Sequence, residues 1–278
     1  MLPPAVHKQQ AKRVVTYSLV KTASDESGDR QLAREAQWLR ELADVRSLEG
    51  QVPRLLDEGT NPEGRRFLVV SVAQGWGETR AFTVGHERFL ANLGKARFRS
   101  TDFEVSGCSE QIDQWLARLE GCVPAATLDT LREAYHDCET ALLYWTGPYV
   151  LSQGDFAPWN IRALGSQLFV YEWGSARSEA SPLDDVLHYL IVQRALHGRS
   201  VNARFLVSAM KRAREFALAA YPEWTWRAQV IGALTLVYLL GALLHHSLAA
   251  RRVDHGDPVV RSCWNLIQKR SAWMPGTD

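Results

Sequence analysis

The hydrophobic pattern of the chain is strand-like in its N-terminal part and helix-like over most of the remaining residues. Residues 13–23 are rich in β-branched side chains, which is typical of a strand or a tight hairpin, and Lys21 lies near the end of this segment. Residues 32–42 place apolar side chains on one helical face, with Glu35 beside it. A second apolar strand is predicted over residues 66–73. The N-terminal part is therefore predicted to be a small sheet with one helix.

From residue 83 onward, apolar positions recur at helical spacing, and prolines divide the region into segments of helical length. The predicted helices cover residues 109–119, 125–145, 183–196, 202–220 and 226–250. Residues 94–106 instead predict a loop with a basic cluster of Lys95, Arg97 and Arg99, which either lines a cleft or, more simply, is solvated surface. The pattern predicts an α+β chain whose helices lie mostly in the C-terminal part.

Residues 151–176 interrupt the helical region and hold two acids and an amide. Asp155 precedes Asn160 by five residues, on a segment that Gly154 and Pro158 keep out of regular structure. An apolar run of strand length then ends at a second acid, Glu172. A loop and then a strand can bring these side chains together as oxygen ligands for a hard cation such as Mg²⁺. An acid beside such a cation can accept the proton of an attacking hydroxyl in phosphoryl transfer.

The loop and its surroundings resemble a known family. The run from Gln153 to Asn160, QGDFAPWN, resembles the His-Gly-Asp-x-x-x-x-Asn catalytic loop of the aminoglycoside phosphotransferase and choline kinase-like enzymes. The triplet that begins at Glu172, EWG, falls where that family has its metal-binding Asp-Trp-Glu or Asp-x-x. The run PLDDVL at residues 182–187 resembles the Pro-x-x-Asp-Leu that opens the next helix of the family.

The resemblance implies a fold and an activity. The implied fold is α+β and protein kinase-like with two lobes: a small antiparallel-sheet N-lobe over residues 1–75 and a mostly helical C-lobe over residues 76–278. The implied activity is ATP-dependent phosphoryl transfer, with Mg²⁺, to a hydroxyl of a small molecule such as a sugar, an amino alcohol or an aminoglycoside-like compound. Lipid-pathway headgroups fit the same chemistry.

The resemblance also implies roles for single residues of the catalytic segment. Asp155 would be the catalytic base. Asn160 and Glu172 would be the metal ligands. Asp185, from the helix-opening motif, would be a structural acid that braces the catalytic loop.

In the N-terminal part the resemblance concerns the nucleotide. Kinases of this fold use a strand lysine to hold the nucleotide phosphates, and it pairs with a glutamate on the next helix. Lys21 and Glu35 occupy those positions in order, although each taken alone also fits a solvated surface residue. Backbone groups of Ser71, Val72 and Ala73 would bind the adenine at the hinge, while the same residues also fit a plain buried strand.

The chain departs from the family pattern at several positions. Gln153 stands where the family has His, Glu172 is one methylene longer than the usual Asp, and Gly174 replaces an acid. No glycine precedes Gly28, so the glycine-rich hairpin that covers the nucleotide phosphates is expected to be missing or shortened. These departures leave a second class of function open, a catalytically impaired pseudokinase that serves as a binding or scaffold protein.

Composition and charge limit the kinds of partner and the cellular location that are expected. A formal net charge of +1 over 278 residues argues against nucleic acid or an anionic membrane held by bulk charge. Residues 230–244 form the one long apolar run, which is shorter than a membrane span and predicts a buried helix. The four cysteines lack metal-ligand spacing and are expected to be buried thiols in a reducing compartment. With no signal-peptide pattern at the N-terminus, these features predict a cytoplasmic protein.

Overall fold

The computed structural model describes residues 6–11, 14–73, 81–164 and 167–275, and the described part has an α+β fold. Its strands are β1 (Val6–Ala11), β2 (Val14–Thr22), β3 (Leu55–Thr60), β4 (Arg66–Ser71), β5 (Phe98–Asp102), β6 (Thr146–Ser152), β7 (Ile161–Leu164), β8 (Gln167–Val170) and β9 (Arg177–Ala180). Its helices are α1 (Glu26–Leu42), α2 (Val84–Ala96), α3 (Gly107–Leu119), α4 (Ala125–Leu142), α5 (Asp184–Leu196), α6 (Ala203–Ala220), α7 (Ala228–Ala250) and α8 (Pro258–Gln268).

The contacts group the chain into two compact units. The first unit combines residues 1–96 with residues 153–177, and the second combines residues 97–152 with residues 178–278. Every residue predicted for the nucleotide and the chemistry therefore belongs to the first unit. The predicted boundary between lobes at residue 75 stays a prediction.

The first unit contains a four-stranded antiparallel sheet in the order β1-β2-β4-β3. The strands predicted over residues 13–23 and 66–73 are β2 and β4, and in their pairing Lys21 lies opposite Leu68. Leu68 is fully buried. The pairing with β4 thus fixes the backbone of Lys21 next to a core position.

Among the described residues, one strand, β1, precedes the strand that carries Lys21. β1 pairs with β2 over its whole length, from Val6 opposite Leu19 to Ala11 opposite Val14. Because β2 is the lysine strand, this pair is not the two-stranded glycine-rich hairpin of the resemblance, which lies ahead of the lysine strand, and the expectation that that hairpin is missing or shortened stays a prediction.

Helix α1 places the carboxylate of Glu35 in the interior of the first unit. Asp25 caps its N-terminus by accepting a hydrogen bond from the Gly28 N–H at 2.8 Å. Glu35 lies on the buried face of the helix, which otherwise consists of Leu32, Ala36, Leu39 and Leu42. Asp29 Oδ1 accepts a hydrogen bond from the Arg66 N–H at 2.9 Å, which ties the start of α1 to β4.

The hairpin β7-β8 brings the two halves of the catalytic segment together. Its strands pair antiparallel, with Ile161 opposite Val170. Asn160 comes directly before β7, and Glu172 lies two residues beyond the end of β8. Because the start of one antiparallel strand adjoins the end of its partner, these residues lie at the same end of the hairpin.

The second unit holds a three-stranded sheet, β5-β6-β9, and the helices α3 to α8. The helices predicted from the pattern are confirmed as α3, α4, α5, α6 and α7, except that α4 ends at Leu142 and not at residue 145. The predicted loop over residues 94–106 is wrong, since it contains the end of α2 and all of β5. Phe98 of β5 pairs with Val150 of β6, a distant partner that local periodicity cannot reveal.

Helix α7 is long and apolar enough to cross a membrane by length and composition alone, but 72% of its most apolar window is buried inside the protein. It packs against α3, α4 and α8. This is the arrangement expected of the predicted buried helix. Three cysteines are buried as predicted, whereas Cys122 is exposed.

Candidate active site

Lys21 joins two acids that are distant in sequence. Its Nζ lies 2.7 Å from Glu35 Oε1 and 2.8 Å from Glu35 Oε2, and also 2.7 Å from Glu172 Oε1. The Lys21 side chain is 11% exposed, that of Glu35 is 2% exposed and that of Glu172 is 40% exposed. The predicted pair on β2 and α1 therefore forms, and it reaches the predicted metal-binding acid.

Glu35 is a carboxylate held in the interior by its partners. Burial raises its pKa, while the Lys21 ammonium beside it acts in the opposite direction and the nearby Glu172 raises it further. The Trp173 N–H contributes a longer hydrogen bond to Glu35 Oε1 at 3.4 Å. Because an unpaired buried carboxylate is strongly unfavourable, Lys21 is needed to keep Glu35 charged inside the unit.

Glu172 has an unusual backbone. Its φ is 59° and its ψ is 65°, which lies in the left-handed region that residues other than glycine rarely adopt. Within the described residues, Arg251 is the other non-glycine residue with a positive φ. Such strain persists only when the surroundings hold it, and it is common at functional sites.

Gln153 holds this strained turn. Its Nε2 donates to the carbonyl oxygen of Tyr171 at 2.9 Å and to that of Glu172 at 2.6 Å. Its Oε1 accepts a hydrogen bond from the Asp155 N–H at 2.9 Å. One fully buried amide therefore ties the loop that carries Asp155 to the turn that carries Glu172.

Asp155 and Asn160 are in direct contact. Asn160 Nδ2 donates to Asp155 Oδ2 at 2.8 Å and to the Asp155 carbonyl oxygen at 2.9 Å. Asn160 is 6% exposed, and its own carbonyl oxygen accepts a hydrogen bond from the Tyr171 N–H at 2.8 Å. The spacing of five residues thus closes the loop on itself and places its amide beside the β8 end.

The predicted hinge residues bond largely to the protein itself. The Ser71 N–H donates to the Arg54 carbonyl oxygen at 2.9 Å, and its hydroxyl accepts from the Arg54 N–H at 2.8 Å. The Ala73 N–H donates to the hydroxyl of Tyr171 at 3.2 Å. Sequence reasoning did not single out Tyr171, because an aromatic residue in an apolar run predicts only a strand.

Comparison with solved structures identifies the fold. Neither the models of known families nor the curated sequences match the chain. A ternary complex of aminoglycoside phosphotransferase APH(4)-Ia with AMP-PNP and hygromycin B is similar with a TM-score of 0.62 at 13% identity, over 96% of this chain and 94% of that one. The chain has the kinase-like fold of the aminoglycoside phosphotransferases.

Two further structures share this kinase-like fold. The GDP complex of a mutant aminoglycoside 2'-phosphotransferase IIIa has a TM-score of 0.57 at 16% identity, over 96% of this chain and 91% of that one. A protein assigned as a fructosamine-3-kinase from Thermobifida fusca has a TM-score of 0.62 at 17% identity, over 96% of this chain and 93% of that one. The resemblance inferred from the sequence is thus confirmed for the fold, including its two-lobed α+β class.

Close packing explains one departure from the kinase-like pattern. A Cβ on Gly174 would lie 2.5 Å from Gln31 Cγ and 3.1 Å from the Gln31 carbonyl oxygen, so a larger residue here would displace the Gln31 side chain and press against the backbone of α1. Gly154 is equally constrained, because its φ is +83° and a Cβ would lie 2.1 Å from the Ser175 carbonyl oxygen. In the second unit, buried Asp185 accepts a hydrogen bond from the Ser152 hydroxyl at 2.9 Å, at the end of β6.

The donor set can be tested for the magnesium ion that the kinase-like fold implies. Within the described ranges, no group of three or more His, Cys, Asp and Glu side chains is placed to hold a metal. The donors available are the Glu172 carboxylate and the amide oxygen of Asn160, whose nitrogen makes the bonds to Asp155. Mg²⁺ is commonly held by one or two protein oxygens together with substrate phosphates and water, so this set fits the ion.

Gln153→Ala is expected to lower the free energy of unfolding by about 3 kcal/mol, because it leaves partly buried backbone groups of Tyr171, Glu172 and Asp155 without this partner. Urea denaturation measures the change. Gln37→Ala serves as the matched control, since that exposed side chain bonds Glu41 one turn away and its loss costs about 0.5 kcal/mol or less. Equal losses in the two variants would contradict the role assigned to Gln153.

Proposed function

We propose that the protein is an ATP-dependent phosphotransferase that acts on a hydroxyl group of a small molecule in the cytoplasm. One observation carries the proposal: in a kinase-like fold, Lys21 Nζ bonds Glu35 on one side and Glu172 on the other. Lysines are mostly exposed in proteins, so a lysine 11% exposed between two acids indicates a built site. The similar structures contain AMP-PNP or GDP, which supports a nucleotide as phosphoryl donor.

The phosphate end of the site would use the chain's own charges. Lys21 would hold the nucleotide phosphates, and Glu35 would keep the ammonium oriented toward them. Asn160 and Glu172 would hold Mg²⁺, which when bound neutralises charge on the phosphates. Because the Lys21 contact uses Glu172 Oε1, the second carboxylate oxygen can serve as the metal ligand without breaking the ion pair.

The acceptor end of the site would use Asp155. Its carboxylate would accept the proton of the acceptor hydroxyl as the phosphoryl group is transferred. Asn160 orients this carboxylate through the bond to Oδ2, and Gln153 fixes its backbone. Catalysis would come mainly from positioning and charge stabilisation.

The experiment that tests this proposal is a phosphotransfer assay with ATP or GTP and Mg²⁺ against a panel of sugars, amino alcohols and aminoglycosides. Transfer to any hydroxyl that is lost in Asp155→Asn supports the enzyme. If no acceptor is phosphorylated and no nucleotide is hydrolysed, while nucleotide still binds, the pseudokinase alternative replaces it.

Glu172→Ala is expected to weaken nucleotide binding about tenfold when Mg²⁺ is present and to leave it nearly unchanged in EDTA, because the side chain would act through the metal. Isothermal titration calorimetry with AMP-PNP measures both. Glu63→Ala, which also removes an acid of the first unit, serves as the control and should change neither affinity. A loss of equal size with and without Mg²⁺ would show that Glu172 is not a metal ligand.

A further inference from the structure

Tyr171 occupies a hydrogen-bond donor of the hinge. Its hydroxyl accepts the Ala73 N–H at 3.2 Å, and the Val72 N–H before it donates to the Tyr17 carbonyl oxygen at 3.3 Å. An adenine base bound at these two residues needs a free N–H donor from them, because its ring nitrogens are acceptors. Both of these donors are therefore already used within the first unit.

Hydrogen bonds to both the N–H and the carbonyl oxygen of Tyr171 hold its backbone in place. Its N–H donates to the Asn160 carbonyl oxygen at 2.8 Å, and its carbonyl oxygen accepts from Gln153 Nε2 at 2.9 Å. Its ring is half-buried, with the Phe169 ring centroid 4.9 Å away and the Arg162 guanidinium 5.9 Å from the ring centroid. The side chain therefore reaches Ala73 from a fixed backbone, through only two rotatable bonds.

The next residue makes a similar contact at the phosphate end. Glu172 Oε1 lies 2.7 Å from Lys21 Nζ, the group proposed to hold the nucleotide phosphates. Two consecutive residues of one strained turn thus contact both groups proposed to recognise a nucleotide, a backbone donor for the base and an ammonium for the phosphates. The Gln153 amide bonds the carbonyl oxygens of both.

We infer that Tyr171 occludes the base-binding end of the nucleotide site, so that a purine nucleotide binds only when the tyrosine leaves Ala73. This inference rests on the proposed function, which places the nucleotide at this site. The tyrosine then competes with the base for one donor. The apparent affinity for a nucleotide is reduced by the fraction of molecules in which the hydroxyl is bonded to Ala73.

The test compares two ligands that share phosphates and differ in the base. AMP-PNP carries a purine, and inorganic tripolyphosphate carries none. Tyr171→Leu is expected to bind AMP-PNP with Mg²⁺ about tenfold more tightly than the wild type, which corresponds to removal of one competing hydrogen bond and its ring. Its affinity for tripolyphosphate should stay the same. Calorimetric titration measures both.

Two further variants complete the design. Tyr171→Phe keeps the ring and its packing but removes the hydroxyl, and is expected to tighten AMP-PNP binding about threefold; it decides the question alone if Tyr171→Leu does not fold. Tyr144→Leu is the matched control, because that tyrosine is 96% exposed and belongs to the second unit. It should leave both affinities unchanged.

The possible results separate the inference from the proposed function. Unchanged or weaker AMP-PNP binding in the Tyr171 variants overturns the inference, since the ring would then support the base, and equal tightening of both ligands overturns it too. If the binding results overturn the inference but the wild type transfers phosphate in the phosphotransfer assay, only the inference fails and the proposed function stands. If the Tyr171 variants bind AMP-PNP more tightly but neither they nor the wild type transfers phosphate, the inference stands and the proposed function fails.

Discussion

Lys21→Met is expected to lower the free energy of unfolding by about 3 kcal/mol, because it leaves the carboxylate of Glu35 buried without its cation. The Glu35 side chain is 2% exposed, and among the described residues the hydrogen bond left to it is the 3.4 Å one from the Trp173 N–H. Glu172 also loses its partner, but at 40% exposure water replaces most of that contact. Urea denaturation at neutral pH measures the loss.

The loss should depend on pH in one direction. Burial already raises the pKa of Glu35, and removal of Lys21 raises it further. A carboxyl whose pKa is higher in the folded than in the unfolded state stabilises most when it is protonated. That contribution disappears as the pH rises through the raised value. We therefore expect the loss in Lys21→Met to be smaller at about pH 5 than at about pH 8.

Two variants serve as controls for this result. Lys95→Met removes an exposed lysine and should change the free energy of unfolding by about 0.5 kcal/mol or less. Lys21→Met combined with Glu35→Gln removes the buried charge as well, so it should regain most of the stability and lose the pH dependence. A loss in Lys21→Met that is independent of pH would contradict a charged Glu35 in the interior.

The helices and the kinase-like order of elements were predictable from the sequence. Helical periodicity over long segments reports burial of one face, so the predicted spans of α3 to α7 agree with the structure to within a few residues at most ends. The loop and the strand that follows it likewise predicted that Asp155 and Asn160 come together, and their side chains are in contact. Features that depend on residues close together in the sequence can be predicted in this way.

Contacts between distant segments were not predictable in the same way. β5 is recognisable only through its partner β6, and β1 only through its pairing with β2. The role of Gln153 depends on the positions of two carbonyl oxygens that its sequence neighbourhood does not define. The glycine at 174 is explained by the closeness of α1, and Tyr171 by the position of Ala73. Each of these needs three-dimensional coordinates.

Asp155→Asn is expected to lower kcat for phosphotransfer by at least about 100-fold while nucleotide affinity stays within about threefold, because a general base acts on the acceptor hydroxyl and contributes little to holding ATP. The fold should survive the change. The new amide still offers an oxygen to Asn160 Nδ2, and the Gln153 bond to the backbone of residue 155 is unaffected. Steady-state kinetics with the best acceptor of the panel, together with calorimetric titration of AMP-PNP, measure the two effects.

The matched control is Asp44→Asn, which makes the same change of charge at an exposed position of the first unit and should leave kcat unchanged. The split between kcat and affinity carries the argument. If Asp155→Asn lowers nucleotide affinity as much as Glu172→Ala does in Mg²⁺, then Asp155 acts on the metal and the phosphates, and the acceptor proton must go elsewhere. If kcat falls less than about fivefold, phosphoryl transfer proceeds without a base at this position, since a positioned base contributes at least about 100-fold.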